Sequence, residues 1–133
     1  MKVVLDTNVF VSGIFWTGKS HDVLRFWKEG KFDLVSSLGI ISEIVKVLSD
    51  FKIRLPDEMI REWVDLIAQN SEIAEPKEKI DIVKDDQKDN IFIETAVAGK
   101  ADYIISQDAH LLKIKEFRGI KILSPEEFSR LCS

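Results

Sequence analysis

Short apolar runs rich in β-branched residues alternate along this chain with longer stretches whose apolar residues recur every three or four positions, and no other feature restricts the fold as strongly. The first run, Lys2-Val3-Val4-Leu5, stops on an acid, Asp6; others cover 32–36, 72–75, 102–106 and 120–123. Between them, Val23, Leu24 and Trp27 mark a helix over 20–28, with Ser20 as its N-cap and Gly30 as its stop. Leu38, Ile41, Val45 and Leu48 form one stripe over 37–49, and Met59, Ile60, Trp63, Leu66 and Ile67 form another over 56–69, where Pro56 suits the first turn. The polar stretch 76–88 reads as a loop. A helix then runs from Asp89 to a stop at Gly99, a short turn covers 109–112, and a last helix covers 125–131. The alternation predicts an α/β fold of three layers, α/β/α, around a central, mostly parallel sheet of five strands covered on both faces.

With 133 residues, 45% of them hydrophobic, the chain suits one domain over 1–133. No stretch is rich enough in Ser, Gly or Pro to act as a linker, and no internal repeat is present. Apolar runs such as Val9-Phe10-Val11 fall far short of the roughly 20 residues needed to span a bilayer, so no membrane association is expected. Asp6 interrupts the start too early for the apolar part of a secretory leader. A single cysteine, Cys132, leaves no internal disulfide and no thiolate cluster, which fits a cytoplasmic protein. The net charge of −4 argues against a protein that grips many phosphates of a duplex with clustered Lys and Arg. It is compatible with an enzyme that holds its substrate through cations bound at a concentrated acidic site.

In open α/β sheets, sites form outside the carboxyl ends of the strands, near the point where strand order reverses. Asp6 closes the first strand, and Asp108 lies two residues beyond the strand ending at Ser106. Glu43 falls in the helix after the second strand, and Asp89 opens the helix before the 102–106 strand. Carboxylates gathered without a partner repel one another and take up protons. Mg²⁺ or Mn²⁺ removes that difficulty, and a pair of such ions about 3.5–4 Å apart stabilises both the attacking and the leaving oxygen of a phosphoryl displacement. Asn8 and Ser106 are candidates to hydrogen-bond the ligands Asp6 and Asp108, and Asp86 stands close enough to Asp89 to support it.

Each acid also has a structural reading. Asp89 and Asp108 suit helix N-caps, and Glu43 suits a solvent-facing helix position. Asp6 is the hardest to explain structurally, because an acid closing a buried strand seldom serves the fold. Asp85 and Asp102 read as solvated loop and strand-edge charges.

The opening Val3-Val4-Leu5-Asp6-Thr7-Asn8-Val9-Phe10-Val11-Ser12 resembles the PIN-domain family, and in particular its branch of toxin components of toxin–antitoxin pairs, the VapC-like ribonucleases. The resemblance continues through Ser37-Leu38-Gly39-Ile40-Ile41-Ser42-Glu43 and Asp86-Gln87-Lys88-Asp89-Asn90 to Ala101-Asp102-Tyr103-Ile104-Ile105-Ser106-Gln107-Asp108. It implies that the family's four acids are Asp6, Glu43, Asp89 and Asp108. It further implies an endoribonuclease dependent on Mg²⁺ or Mn²⁺, which leaves a 5′-phosphate and a 3′-hydroxyl, commonly dimerises and is silenced by a cognate antitoxin. Gln87 stands where Pro is common in this branch, and Ser106 and Gln107 where Thr and Gly are common; neither departure touches a ligand.

Two other enzymatic readings compete. Gly13-Ile14-Phe15-Trp16-Thr17-Gly18-Lys19-Ser20 satisfies the phosphate-loop pattern of nucleotide-binding proteins. Three bulky residues in succession suit the required curl of backbone amides poorly, and the alternative is that Gly18 turns the chain, Ser20 caps a helix, and Phe15 and Trp16 cover the sheet edge or a dimer partner. An acyl-phosphate nucleophile at Asp6 would want a second acid two residues on, where this chain has Asn8. A non-catalytic interaction module is weakened by the presence of all four acids. Phe26, Trp27 and Trp63 read as core or dimer-interface residues, and the basic residues between Lys100 and Lys121 as solvated charge.

Overall fold

The computed structural model describes residues 1–50, 52 and 54–133. In chain order the elements are β1 (Lys2–Leu5), α1 (Thr7–Phe15), α2 (Lys19–Lys28), β2 (Asp33–Ser36), α3 (Leu38–Asp50), α4 (Asp57–Asn70) and β3 (Ser71–Ile73). A 3₁₀ turn (Gln87–Asp89) then leads into α5 (Asn90–Gly99), β4 (Tyr103–Ile105), α6 (Ala109–Leu112), β5 (Glu116–Phe117), β6 (Ile120–Leu123) and α7 (Pro125–Cys132). The strands form one sheet in the order β3-β2-β1-β4-β6-β5, parallel throughout except for β5, which runs antiparallel to β6.

The α/β expectation holds, with six strands rather than five. The added strand, β5, is two residues long and pairs Phe117 with Ile120 across a hairpin in which Arg118 and Gly119 both have positive φ. Two residues are too few for any alternation to register in the sequence. The other departure is α1. Its apolar residues Val9, Phe10 and Val11 are all buried, so the helix lacks the one-sided stripe by which a surface helix is recognised.

The chain winds outward from β1 through β2 to β3, then returns to the other side of β1 for β4 and β6. Right-handed crossovers run in opposite senses on the two sides, which puts α1–α4 and α5 on opposite faces of the sheet. α5 packs on β1, β2 and β4, α1 packs against α2 and α3, and α3 also reaches α5. The reversal of strand order therefore lies between β1 and β4, and the crevice above their carboxyl ends is bounded by Asp6 and Ser106.

Burial fixes this frame. Val3, Val4, Ile104 and Ile105 are fully inaccessible, as expected of central parallel strands covered on both sides. Phe10 packs edge-on against Trp27 and Trp63; Trp27 is in the core, and Trp63 is half-buried against it. On α5, a Cβ at Gly99 would lie 2.5 Å from Val35 Cγ1, so the helix end approaches β2 as closely as only glycine permits. The left-handed residue that ends α5 is Lys100, not Gly99. Among the described residues, no helix is long and apolar enough to cross a membrane.

Candidate metal centre

Asp6 is delivered by β1 and is 3% exposed. Its backbone N–H donates to the Ile105 carbonyl at 3.0 Å, which extends the β1–β4 ladder to the acid itself. Its Oδ1 accepts from the Val9 N–H at 2.8 Å, so Asp6 is also the N-cap of α1, a structural purpose that the sequence reading did not anticipate. Oδ2 accepts from the Ser106 hydroxyl, and that hydroxyl in turn accepts from the Asp108 N–H at 2.9 Å. Burial pushes the Asp6 carboxyl up to about 6; the hydrogen bonds from Ser106 and Val9 oppose the shift, and the nearby charge of Asp108 adds to it.

Asp108 follows β4 and caps α6, accepting from the His110 N–H at 2.8 Å. Asp89 arrives from the opposite face, at the end of the 3₁₀ turn. Although it occupies the N-cap position of α5, its side chain makes no capping bond, and its Oδ2 is buried with no hydrogen-bond partner among the described residues. The helix-cap explanation of Asp89 therefore fails. Its carboxyl is pushed up to about 7, first by burial, then by the adjoining Asp108 carboxyl and by the charges of Asp86, Asp108 and Asp6. Asp108 is held below its ordinary value, chiefly by the adjoining Asp89 carboxyl.

Oxygens of Asp86, Asp89 and Asp108 lie within 4.8 Å of one another. An orphaned, buried carboxylate oxygen facing two more carboxylates is what a hard cation with oxygen ligands would satisfy, so the donor set fits Mg²⁺ or Mn²⁺. The charge of Asp108 raises Asp6 and that of Asp6 raises Asp89, which ties the β1 end to this cluster.

Comparison with known proteins identifies the frame. The profile of the PIN domain family matches residues 2–110. The chain belongs to the PIN-domain family. No curated protein matches it. Among solved structures, the crystal structure of VapBC2 from Rickettsia felis, bound to a DNA fragment from their promoter, has a chain that superimposes with a TM-score of 0.62 at 16% identity, covering 93% of this chain and 98% of that one. At that identity the likeness establishes a common fold.

Of the four acids expected from the sequence, this PIN domain has Asp89 and Asp108 in the group of three converging carboxylates, and Asp6 is tied to Asp108 through the Ser106 hydroxyl. Glu43 is half-buried on α3 and lies outside the group of three whose oxygens converge. Asp86, expected only to support Asp89, stands in that group instead. Asn8 is exposed in the first turn of α1, and Ser106 is fully buried between Asp6 and Asp108. Asp85 points away into an ion pair with Lys113 at 2.5 Å and a contact with His110, and Asp102 accepts from the Lys2 N–H at 2.9 Å.

The phosphate-loop pattern does not form a phosphate loop. Gly13 lies inside α1, where a Cβ would come within 2.7 Å of Leu24 Cδ1 and 2.8 Å of the Ser20 carbonyl. Its glycine is required by the close crossing of α1 and α2, the reason that part of the pattern matches. Gly18 turns the chain with φ of +139° and is the N-cap of α2. Ser20 is not the cap; it is buried and accepts from Gln107 Nε2 at 2.9 Å. Trp16 is half exposed beside Phe15, with which it makes an edge contact.

Proposed function

We propose that this PIN domain is a ribonuclease dependent on Mg²⁺ or Mn²⁺, which hydrolyses RNA phosphodiester bonds at the crevice above β1 and β4. The observation that carries the reading is the buried, unpartnered Oδ2 of Asp89 within a cluster of three carboxylates. No hydrogen bond among the described residues accounts for it, whereas a divalent cation would.

Asp6, Asp89 and Asp108 are the main ligands, with Glu43 as a further ligand or as the group that orients the attacking water. A bound divalent cation supplies Lewis-acid stabilisation of the phosphoryl oxygens and lowers the pKa of a coordinated water. The chain's own residues prepare the site. Ser106 locks Asp6 and Asp108 in register through one hydroxyl. A cation held by Asp89 and Asp108 would favour their ionised forms, so metal loading is expected to release protons. Asn8, exposed beside Asp6, supports a ligand or the water.

Family membership and the likeness to a chain of VapBC2 support a nuclease of toxin–antitoxin type. On this reading the protein acts in the cytoplasm, forms a homodimer and is silenced by a cognate antitoxin protein. The test is Asp6→Asn, assayed for Mn²⁺-dependent cleavage of RNA with circular dichroism as a check on the fold. Loss of cleavage with the fold intact is expected; cleavage at the wild-type rate refutes the assignment. A non-catalytic module would bind no divalent ion in calorimetry.

A further inference from the structure

Residues 74–86 contain no helix or strand, yet they carry Asp86 to the acid cluster. Side chains fix this segment: Glu94 accepts from the Ile80 N–H, Arg118 pairs with Glu78, and Asn90 holds the part nearest Asp86. Asn90, the first residue of α5, is 6% exposed. Its Oδ1 accepts from the Ile82 N–H at 3.1 Å and the Val83 N–H at 2.9 Å. Its Nδ2 donates to the Val83 carbonyl at 3.4 Å and the Gln87 carbonyl at 3.2 Å. Val83 lies before Asp86 and Gln87 immediately after it, so a single carboxamide holds the chain on both flanks of that acid.

The demand is specific to an amide. A carboxylate has no donors for the two carbonyls, and an apolar side chain would strand two N–H groups and two carbonyls in or near the interior. Held in this way, Asp86 accepts from the Lys88 N–H at 3.3 Å, its carbonyl accepts from the Asp89 N–H at 3.1 Å, and its carboxylate faces Asp89 and Asp108.

We propose that Asn90 is a positioning residue of the metal centre: by clamping Val83 and Gln87 on either side of Asp86, it presents that carboxylate as a cation ligand beside Asp89 and Asp108. The proposal rests on the divalent-cation reading above and adds Asp86 to the ligands.

The experiment measures Mn²⁺ binding to the intact protein from the electron paramagnetic resonance signal of free Mn²⁺. Asn90→Ala and Asp86→Asn are each expected to weaken binding on the order of tenfold, the usual effect of removing a group that orients a metal ligand. The double variant should bind no more weakly than Asp86→Asn alone, because Asn90 acts through Asp86. Asp85→Asn, which removes the neighbouring acid engaged by Lys113, should bind like the wild type. A role in the fold alone would lower the melting temperature without this non-additivity. Should Asn90→Ala fail to fold, Asn90→Asp keeps the contacts from Ile82 and Val83, loses both donated bonds and reads the same coupling. Wild-type affinity in the Asn90 variant, or losses that multiply in the double variant, overturns the proposal while leaving the ribonuclease reading intact. Absence of Mn²⁺ binding by the wild-type protein overturns both.

Discussion

The Ser106 hydroxyl donates to Asp6 Oδ2 from a position 100 residues away in the sequence, and it joins the ends of β1 and β4 at the point where strand order reverses. The same oxygen accepts from the Asp108 N–H, so one fully buried hydroxyl sets the spacing of two acids. Ser106→Ala removes both contacts. Cleavage of RNA at saturating Mn²⁺ should fall by about 10- to 100-fold, the range found when a group orienting a metal ligand is lost. Steady-state rates at several Mn²⁺ concentrations check this; an unchanged rate would show that Ser106 serves only the fold.

The raised carboxyls make the metal-free protein sensitive to pH. Asp6 and Asp89 titrate at about 6 and about 7 in the folded chain, against 3.8 as ordinary acids. Between about pH 5 and 7 the folded state therefore binds more protons than the unfolded state, and stability falls as pH rises through that window. Asp108, held below its ordinary value, is ionised in both states there and adds slope of the opposite sign only at lower pH. Thermal melts in a chelating buffer should show a decreasing Tm from about pH 5 to 7. Adding Mn²⁺ at pH 8 should restore it, since a ligand that binds only the folded state stabilises it.

Asp6→Asn separates the two roles of that residue. Asparagine caps a helix as well as aspartate, so the bond from the Val9 N–H survives while the buried charge is removed. The variant should melt at or above the wild-type temperature in chelator at pH 8, with a flatter pH dependence and no Mn²⁺-dependent cleavage. A melting temperature several degrees lower would mean that the ionised carboxylate supports the fold.

Gly13 tests the resemblance to a phosphate loop. Gly13→Ala places a methyl group against Leu24 and the Ser20 carbonyl and should destabilise the protein by about 1–3 kcal/mol through overpacking. Chemical denaturation measures the cost. Equilibrium dialysis of the unmodified protein against ATP or GTP should detect no binding, because the first part of the pattern is helical.

Much of this molecule was legible in the order of its residues. The runs at β1, β2, β4 and β6 and the stripes of α3 and α4 carry periodicity strong enough to locate them, and the carboxyl-end rule singles out Asp6 and Asp108 from 23 acidic residues. Ser37 opens α3 as expected, accepting from the Ile40 N–H. β3 starts one residue and ends two residues before the run at 72–75, because a three-residue edge strand with one half-buried and two exposed residues has little pattern to offer.

What periodicity could not reveal is how the loop before α5 closes. Spacing along the chain says that Asp86 and Asp89 are neighbours; it does not say that Asn90 turns back to bind Val83, or that Asp89 makes no cap and leaves an oxygen buried and unpartnered. Nor does it fix the distance from α3 that leaves Glu43 outside the three converging acids. Local hydrogen bonding and side-chain pattern are properties of short segments, so the sequence determined the elements and the order of the sheet's acids. The contacts that join β1, β4 and the 3₁₀ turn form only when the two faces of the sheet are packed, and tertiary structure alone decided which carboxylates meet.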